Sequence, residues 1–258
     1  GKSETMSNKQ YDKNYYEKIG VGSARSAAEV IPVVLQFIKP GSVADVGCGT
    51  GLWLKEWQKS GVTSLLGIDG SYITASQFQA DPSCFMSGDL EQPIMTNMKY
   101  DLVQSLEVAE HIRTEFAETF IQNLCRLGNI ILFSASIPEQ GGVNHFNEHY
   151  PDYWIALFKK FNYHPYDIIR PIIWNNTKID TCYRQNMLLF IKDGEENNYP
   201  HIKTKVNAVM NLVHPETYEL KNRIIRDYQA ILRSPFHALW YLFKKYVKLL
   251  LTKIGLWK

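Results

Sequence analysis

Apolar positions in this chain come as short unbroken runs alternating with stretches of helical period. Val43, Ala44 and Val46 end a buried strand, and a helix over 52–59 follows at once and is stopped by Ser60-Gly61. Residues 64–69, 84–87, 100–106 and 129–133 read as four further strands, with a helix over 114–126 before the last of them. Upstream, Val30, Val33, Val34, Phe37 and Ile38 recur at helical spacing over 26–38, and Pro40-Gly41 ends that helix. Downstream, 153–161 reads as an amphipathic helix, and 168–174 and 183–191 as the last two strands. Strands alternating with helices at this pace predict an α/β fold with a doubly wound, mostly parallel seven-stranded sheet.

The first strand leads into three glycines at alternate positions, Gly47, Gly49 and Gly51. Strand, glycine turn and helix bring backbone N–H groups and a helix N-terminus against a nucleotide-like ligand. The dinucleotide pattern G-x-G-x-x-G fails at Leu52, and no G-K-[ST] follows, so a P-loop is excluded. Asp69 ends the second strand one βαβ half-unit later, where one carboxylate can accept both hydroxyls of a ribose.

With Asp45 inside the strand and the tight G-x-G-x-G after it, residues 43–51 resemble the first motif of the class I S-adenosylmethionine (SAM) methyltransferases. Residues 100–112, Tyr-Asp-Leu-Val-Gln-Ser-Leu-Glu-Val-Ala-Glu-His-Ile, resemble that superfamily's fourth motif. The resemblance covers roughly residues 11–192 and implies a Rossmann-like methyltransferase fold closed by an antiparallel strand pair. It places Asp45, Gly47, Cys48, Gly49, Thr50, Gly51, Asp69, Gly70, Gly88, Ser105, Leu106 and Glu107 around SAM. It further implies that Asp89 accepts from the adenine amino group, that Leu90 offers its backbone N–H, and that Tyr15 and Tyr16 belong to an N-terminal segment folding over the cofactor. In open α/β sheets ligands bind at the strand C-termini, where all of these elements except that segment fall.

The loop after the fifth strand, 136–149, is rich in groups that can carry a proton. A hydroxyl acceptor must lose its proton near the transition state of methyl transfer, and His111, His145, Glu148 and His149 are the candidate bases. Glu107, Glu110 and His111 also stand at i, i+3 and i+4, one face of a helix, and with His145 they resemble the divalent-metal sites of small-RNA 3′-end methyltransferases. Mg²⁺, Mn²⁺ or Zn²⁺ suits such mixed oxygen and nitrogen ligands. The stretches Glu-Val-Ala-Glu-His and Gly-Gly-Val-Asn-His-Phe-Asn-Glu resemble bacterial methyltransferases of polysaccharide and natural-product pathways. That resemblance implies an O-methyltransferase acting on a sugar, a glycan precursor or a secondary metabolite. The alternatives are a metal-assisted RNA ribose 2′-O-methyltransferase and a catalytically silent SAM-fold scaffold.

Composition narrows the field. The 258 residues are 45% hydrophobic and 21% charged, ordinary for a globular protein, and a net charge of +2 gives no global drive toward nucleic acid. Cys48, Cys84, Cys125 and Cys182 form no C-x-x-C pair, which fits a reducing cytoplasm rather than a disulfide framework or a zinc site. Residues 1–5, before Met6, read as an expression scar. The expected organisation is this remnant plus the covering segment over 1–25, a SAM-binding domain over 26–192, and a linker with C-terminal helices over 193–258. The last stretch, 234–258, combines an apolar seam with lysines and no acid. It reads either as a helix contacting a membrane or as one packing on its own domain, a partner or a second copy.

Overall fold

The computed structural model describes residues 13–74, 76–202, 209–232 and 234–253. Two units are distinguished, 1–212 and 213–258. In the first, α1 (Lys13–Val34) precedes β1 (Ser42–Val46), α2 (Leu52–Lys59), β2 (Ser64–Asp69), β3 (Phe85–Ser87) and β4 (Leu102–Leu106). There follow α3 (Ala117–Leu127), β5 (Ile130–Ser134), α4 (Pro151–Lys159), β6 (Tyr163–Tyr166), α5 (Arg170–Ile173), α6 (Thr181–Asn186) and β7 (Leu188–Lys192). The second unit consists of α7 (Pro215–Leu232) and α8 (Pro235–Lys253).

The seven strands form one sheet in the order β3-β2-β1-β4-β5-β7-β6. β3, β2, β1, β4 and β5 run parallel, β7 is antiparallel to β5, and β6 is antiparallel to β7. Because side chains alternate across a strand, odd and even positions feed two cores. Val43, Leu102, Leu132 and Leu189 pack with Ile31, Trp57 and Ile173 on one face. Ala44, Val103, Phe133 and Phe190 pack with Phe120, Trp154 and Phe158 on the other. Burial on both faces explains why these strands are continuous apolar runs.

Three expectations are corrected. The helix expected over 26–38 begins by Lys13 and runs through Gly20 and Gly22. Gly22 lies against Asp180, whose carboxylate a Cβ there would meet at 2.1 Å, so close packing rather than a break accounts for this glycine. The strand expected over 168–174 is instead the helical turn α5, with Pro171 in its first turn. The sixth strand is Tyr163–Tyr166, whose Pro165 is tolerated because β6 is the sheet's edge. Residues 183–186, expected as the start of the seventh strand, belong to α6, and β7 begins only at Leu188.

Candidate active site

The glycine turn closes the C-terminal end of β1. All three glycines have positive φ, 83°, 51° and 75°, which side-chain-bearing residues rarely adopt. Their surroundings differ. A Cβ on Gly47 would strike Val108 at 2.4 Å and one on Gly51 would strike Phe78 at 2.6 Å, whereas Gly49 faces open space. The turn is therefore packed at both ends and open in the middle. Cys48 turns its side chain inward, and burial pushes its thiol well above the ordinary range, so it offers the site backbone only. Thr50 accepts Gln79 N–H on its carbonyl at 2.7 Å.

Asp69, only 4% exposed, holds this turn to β2: Gly49 N–H donates to Oδ2 at 2.7 Å and Gly70 N–H to Oδ1 at 2.7 Å. The Tyr72 hydroxyl also donates to Oδ1. On the neighbouring strand Asp45 is buried, and burial with the adjacent Asp69 charge raises its carboxyl to about 7 against the partial help of Gln104. No helix begins at Ser71, so Asp69 has no capping duty. Gly88 N–H donates to the Asp69 carbonyl. Asp89 is exposed, with Oδ1 receiving Glu91 N–H at 3.0 Å, and Leu90 is half-buried beside it. Ser105 is fully buried and ties β4 to β1 by donating to Val46 O at 2.7 Å, with Leu106 buried next to it. Tyr15 and Tyr16 fall in the first turn of α1, outside the residues whose side chains are described.

Glu107 to His111 do not form the α-helix that would align three side chains on one face. Glu107 sits in a left-handed conformation, φ 57°, and only 109–111 make a single 3₁₀ turn. The acids consequently part. Glu107 takes hydrogen bonds from Asn186 at 3.1 Å and Gln140 at 3.2 Å. Ser136 Oγ stands between the pair, 3.2 Å from Glu107 and 2.9 Å from Glu110. Burial raises both carboxyls, Glu110 more strongly because Glu107 also repels its charge. Glu110 Oε2 is buried with no hydrogen-bond partner among the described residues.

Glu110, His111 and His145 converge, with one ligand-type atom of each within 4.8 Å of the others. The two imidazoles meet edge to face at 4.8 Å between centroids. His111 Nδ1 lies 3.1 Å from the Asn144 carbonyl, which fixes the proton on that nitrogen; burial and the neighbouring His145 push its pKa down and favour the uncharged ring. His145 Nδ1 lies 2.7 Å from Glu148, whose carboxylate also receives Glu139 N–H at 2.7 Å. Gly142 makes room for His145, since a Cβ there would stand 2.0 Å from its Nε2. His149 has a different environment, stacked on Tyr153 at 3.8 Å and edge-on to Trp154. Four polar residues at this edge were not singled out by the sequence: Tyr72, Ser136, Gln140 and Asn186. Asn186 lies 79 residues from Glu107, and no local pattern announces such a partner.

A strand order of 3-2-1-4-5-7-6 with a glycine turn after β1 and an acid after β2 defines a class of protein. The family profile described as a methyltransferase domain matches residues 23–136, and the sheet has the Rossmann-like methyltransferase fold. Among solved structures, a protein from Nostoc punctiforme, provisionally assigned as an O-methyltransferase, has a TM-score of 0.50 at 12% identity, over 69% of this chain and 58% of its own. Magnesium protoporphyrin IX methyltransferase from Synechocystis, with bound S-adenosylhomocysteine (SAH), has a TM-score of 0.49 at 17% identity, over 71% and 89%. The methyltransferase domain of a bacterial Hen1 has a TM-score of 0.49 at 16% identity, over 65% and 97%. No curated protein matches the sequence.

Proposed function

We propose that the chain moves a methyl group from SAM to a hydroxyl of a small acceptor, a sugar, a glycan precursor or a secondary metabolite. The observation that carries the reading is the His145–Glu148 pair, 2.7 Å apart, beside His111. SAM supplies an electrophilic methyl on a sulfonium. The open middle of the glycine turn holds the cofactor, Asp69 receives its ribose hydroxyls, and the carboxylates of Asp45 and Asp69 favour its positive charge. Glu148 fixes the His145 proton on Nδ1, which leaves Nε2 with the lone pair that takes the acceptor's proton. Alignment of nucleophile and methyl, with water kept out, provides most of the remaining acceleration. The hydroxyl class and the biosynthetic setting rest on the resemblance of the Glu-Val-Ala-Glu-His and Gly-Gly-Val-Asn-His-Phe-Asn-Glu stretches.

The test is SAH titration followed by SAM turnover on a panel of nucleotide-sugars and phenolic or alcoholic metabolites. Micromolar SAH binding with methylation of a hydroxyl supports the reading. Methylation confined to amines removes the base from the mechanism, and absence of SAH binding returns the chain to a scaffold role.

One observation favours a second reading. Glu110 Oε2 has no hydrogen-bond partner among the described residues, and a carboxylate oxygen of Glu110 lies within 4.8 Å of a ring nitrogen of each histidine, as expected of a ligand set for a divalent cation. Glu110, His111 and His145 would hold Mg²⁺ or Mn²⁺, which would lower the pKa of the acceptor hydroxyl. The base reading requires turnover to be unchanged by EDTA and by added metal. Metal-dependent turnover selects the second.

A further inference from the structure

α8 carries an apolar face with no acid to accompany it. Phe236, Leu239, Trp240, Leu242, Phe243 and Tyr246 are exposed, Phe236 by 85%, and together they line one concavity. At about 100° per residue these six, with Leu249, occupy roughly half of the helix circumference. Lys244, Lys245 and Lys248 take the opposite side. The Lys244 ammonium lies 5.1 Å over the Trp240 ring at the boundary between the two faces. The 19 residues span about 28 Å, yet no helix among the described residues is long and apolar enough to cross a membrane. A wide apolar face, interfacial aromatics and a one-signed polar face are the marks of a helix lying in a bilayer surface.

Charge decides the occupant. No Asp or Glu follows Asp227, so every charge on α8 is positive. α7 offers no surplus of acid, since Glu216, Glu219 and Asp227 are matched by Lys221, Arg223 and Arg226. A polar face of one positive sign flanking exposed aromatics is complementary to anionic headgroups. We propose that α8 docks the protein on an anionic phospholipid surface, its aromatic face in the headgroup–acyl boundary and its lysine stems reaching the lipid phosphates.

The experiment is flotation of the full chain with vesicles of phosphatidylglycerol and phosphatidylcholine, against phosphatidylcholine alone, at low and high salt. Wild type is expected to float with the anionic vesicles and to release as salt rises. Replacing Lys244, Lys245 and Lys248 by Gln should weaken binding about fivefold per lysine, about a hundredfold in all. Trp240→Gln with Phe243→Gln should abolish flotation while SAH affinity holds. Wild type that ignores anionic vesicles overturns the proposal without recourse to any variant. Equal binding to neutral vesicles overturns the electrostatic half. A concentration-dependent dimer that forms without lipid and is lost in the Trp240→Gln, Phe243→Gln variant reassigns the face to a second copy.

Discussion

The Tyr72 hydroxyl donates to the Asp69 carboxylate on the same oxygen that receives Gly70 N–H. Under the proposed assignment of the cofactor ribose to Asp69, Tyr72 stands where a ribose hydroxyl would bind and has to leave when SAM enters. Tyr72→Phe should therefore tighten SAH binding, by about tenfold if one hydrogen bond to a charged group no longer competes. Asp69→Ala should weaken it by about 1.5–3 kcal/mol per bond lost, and should lower the melting temperature because Gly49 and Gly70 lose their acceptor. Calorimetric titration reads both affinities. Unchanged binding in the two variants would remove Asp69 from the ribose site.

His145 and Glu148 separate catalysis from binding. His145→Ala should reduce turnover by about 10²–10⁴-fold, the usual contribution of a positioned base, with SAH affinity within twofold of wild type. Glu148→Gln keeps a hydrogen-bond acceptor near Nδ1 but loses the charge, so it should fall between wild type and His145→Ala. Equal turnover in all three proteins excludes this pair from proton transfer. His149→Ala, stacked on Tyr153, should leave turnover unchanged and cost stability instead.

The parallel part of the sheet was legible because strands buried on both faces are uninterrupted apolar runs, and β1, β2, β4 and β5 each lie within two residues of their expected limits. β6 was misplaced because Tyr-His-Pro-Tyr looks like a turn, and only its place at the sheet edge makes Pro165 acceptable. α6 was read as strand because Met187 to Ile191 is strongly apolar and the polar residues just before it carry no clear helical period. At the candidate site, spacing alone put the glycine turn directly after β1 and Asp69 at the end of β2, where the structure has them. The geometry of Glu-Val-Ala-Glu-His was not, because the left-handed Glu107 depends on Asn186, Gln140 and Ser136 rather than on its neighbours in sequence.

Arg170 provides a test of the fold independent of chemistry. Its guanidinium is buried and reaches both Asp167 oxygens, at 2.9 and 2.6 Å, as well as the carbonyls of Gln185 and Met210. Asp167→Ala strands that charge in the interior and should cost about 3–5 kcal/mol. Replacing both residues by apolar ones of similar volume should recover much of the loss. Chemical denaturation measures the difference, and a cost below about 1 kcal/mol would mean that the two carbonyls suffice for the arginine.

Asp45 makes stability depend on pH in the direction opposite to that of a paired carboxylate. Its folded pKa, about 7, lies above the ordinary 3.8, so the folded state binds more protons than the unfolded one between those values. Stability then falls as pH rises through that window, and the full penalty, on the order of 4 kcal/mol, is present only above it. Asp45→Asn keeps the shape and removes the charge. Its melting temperature should exceed that of wild type at pH 8, and the gap should close toward pH 4, as a thermal series across this range would show. A constant gap would mean that Asp45 is already ionised at low pH. The same substitution should weaken SAM, which carries a positive sulfonium, more than SAH, which does not. The two carboxylates at the ends of β1 and β2 would then act as the electrostatic half of the cofactor site, with the stability cost of Asp45 tolerated for the sake of that charge.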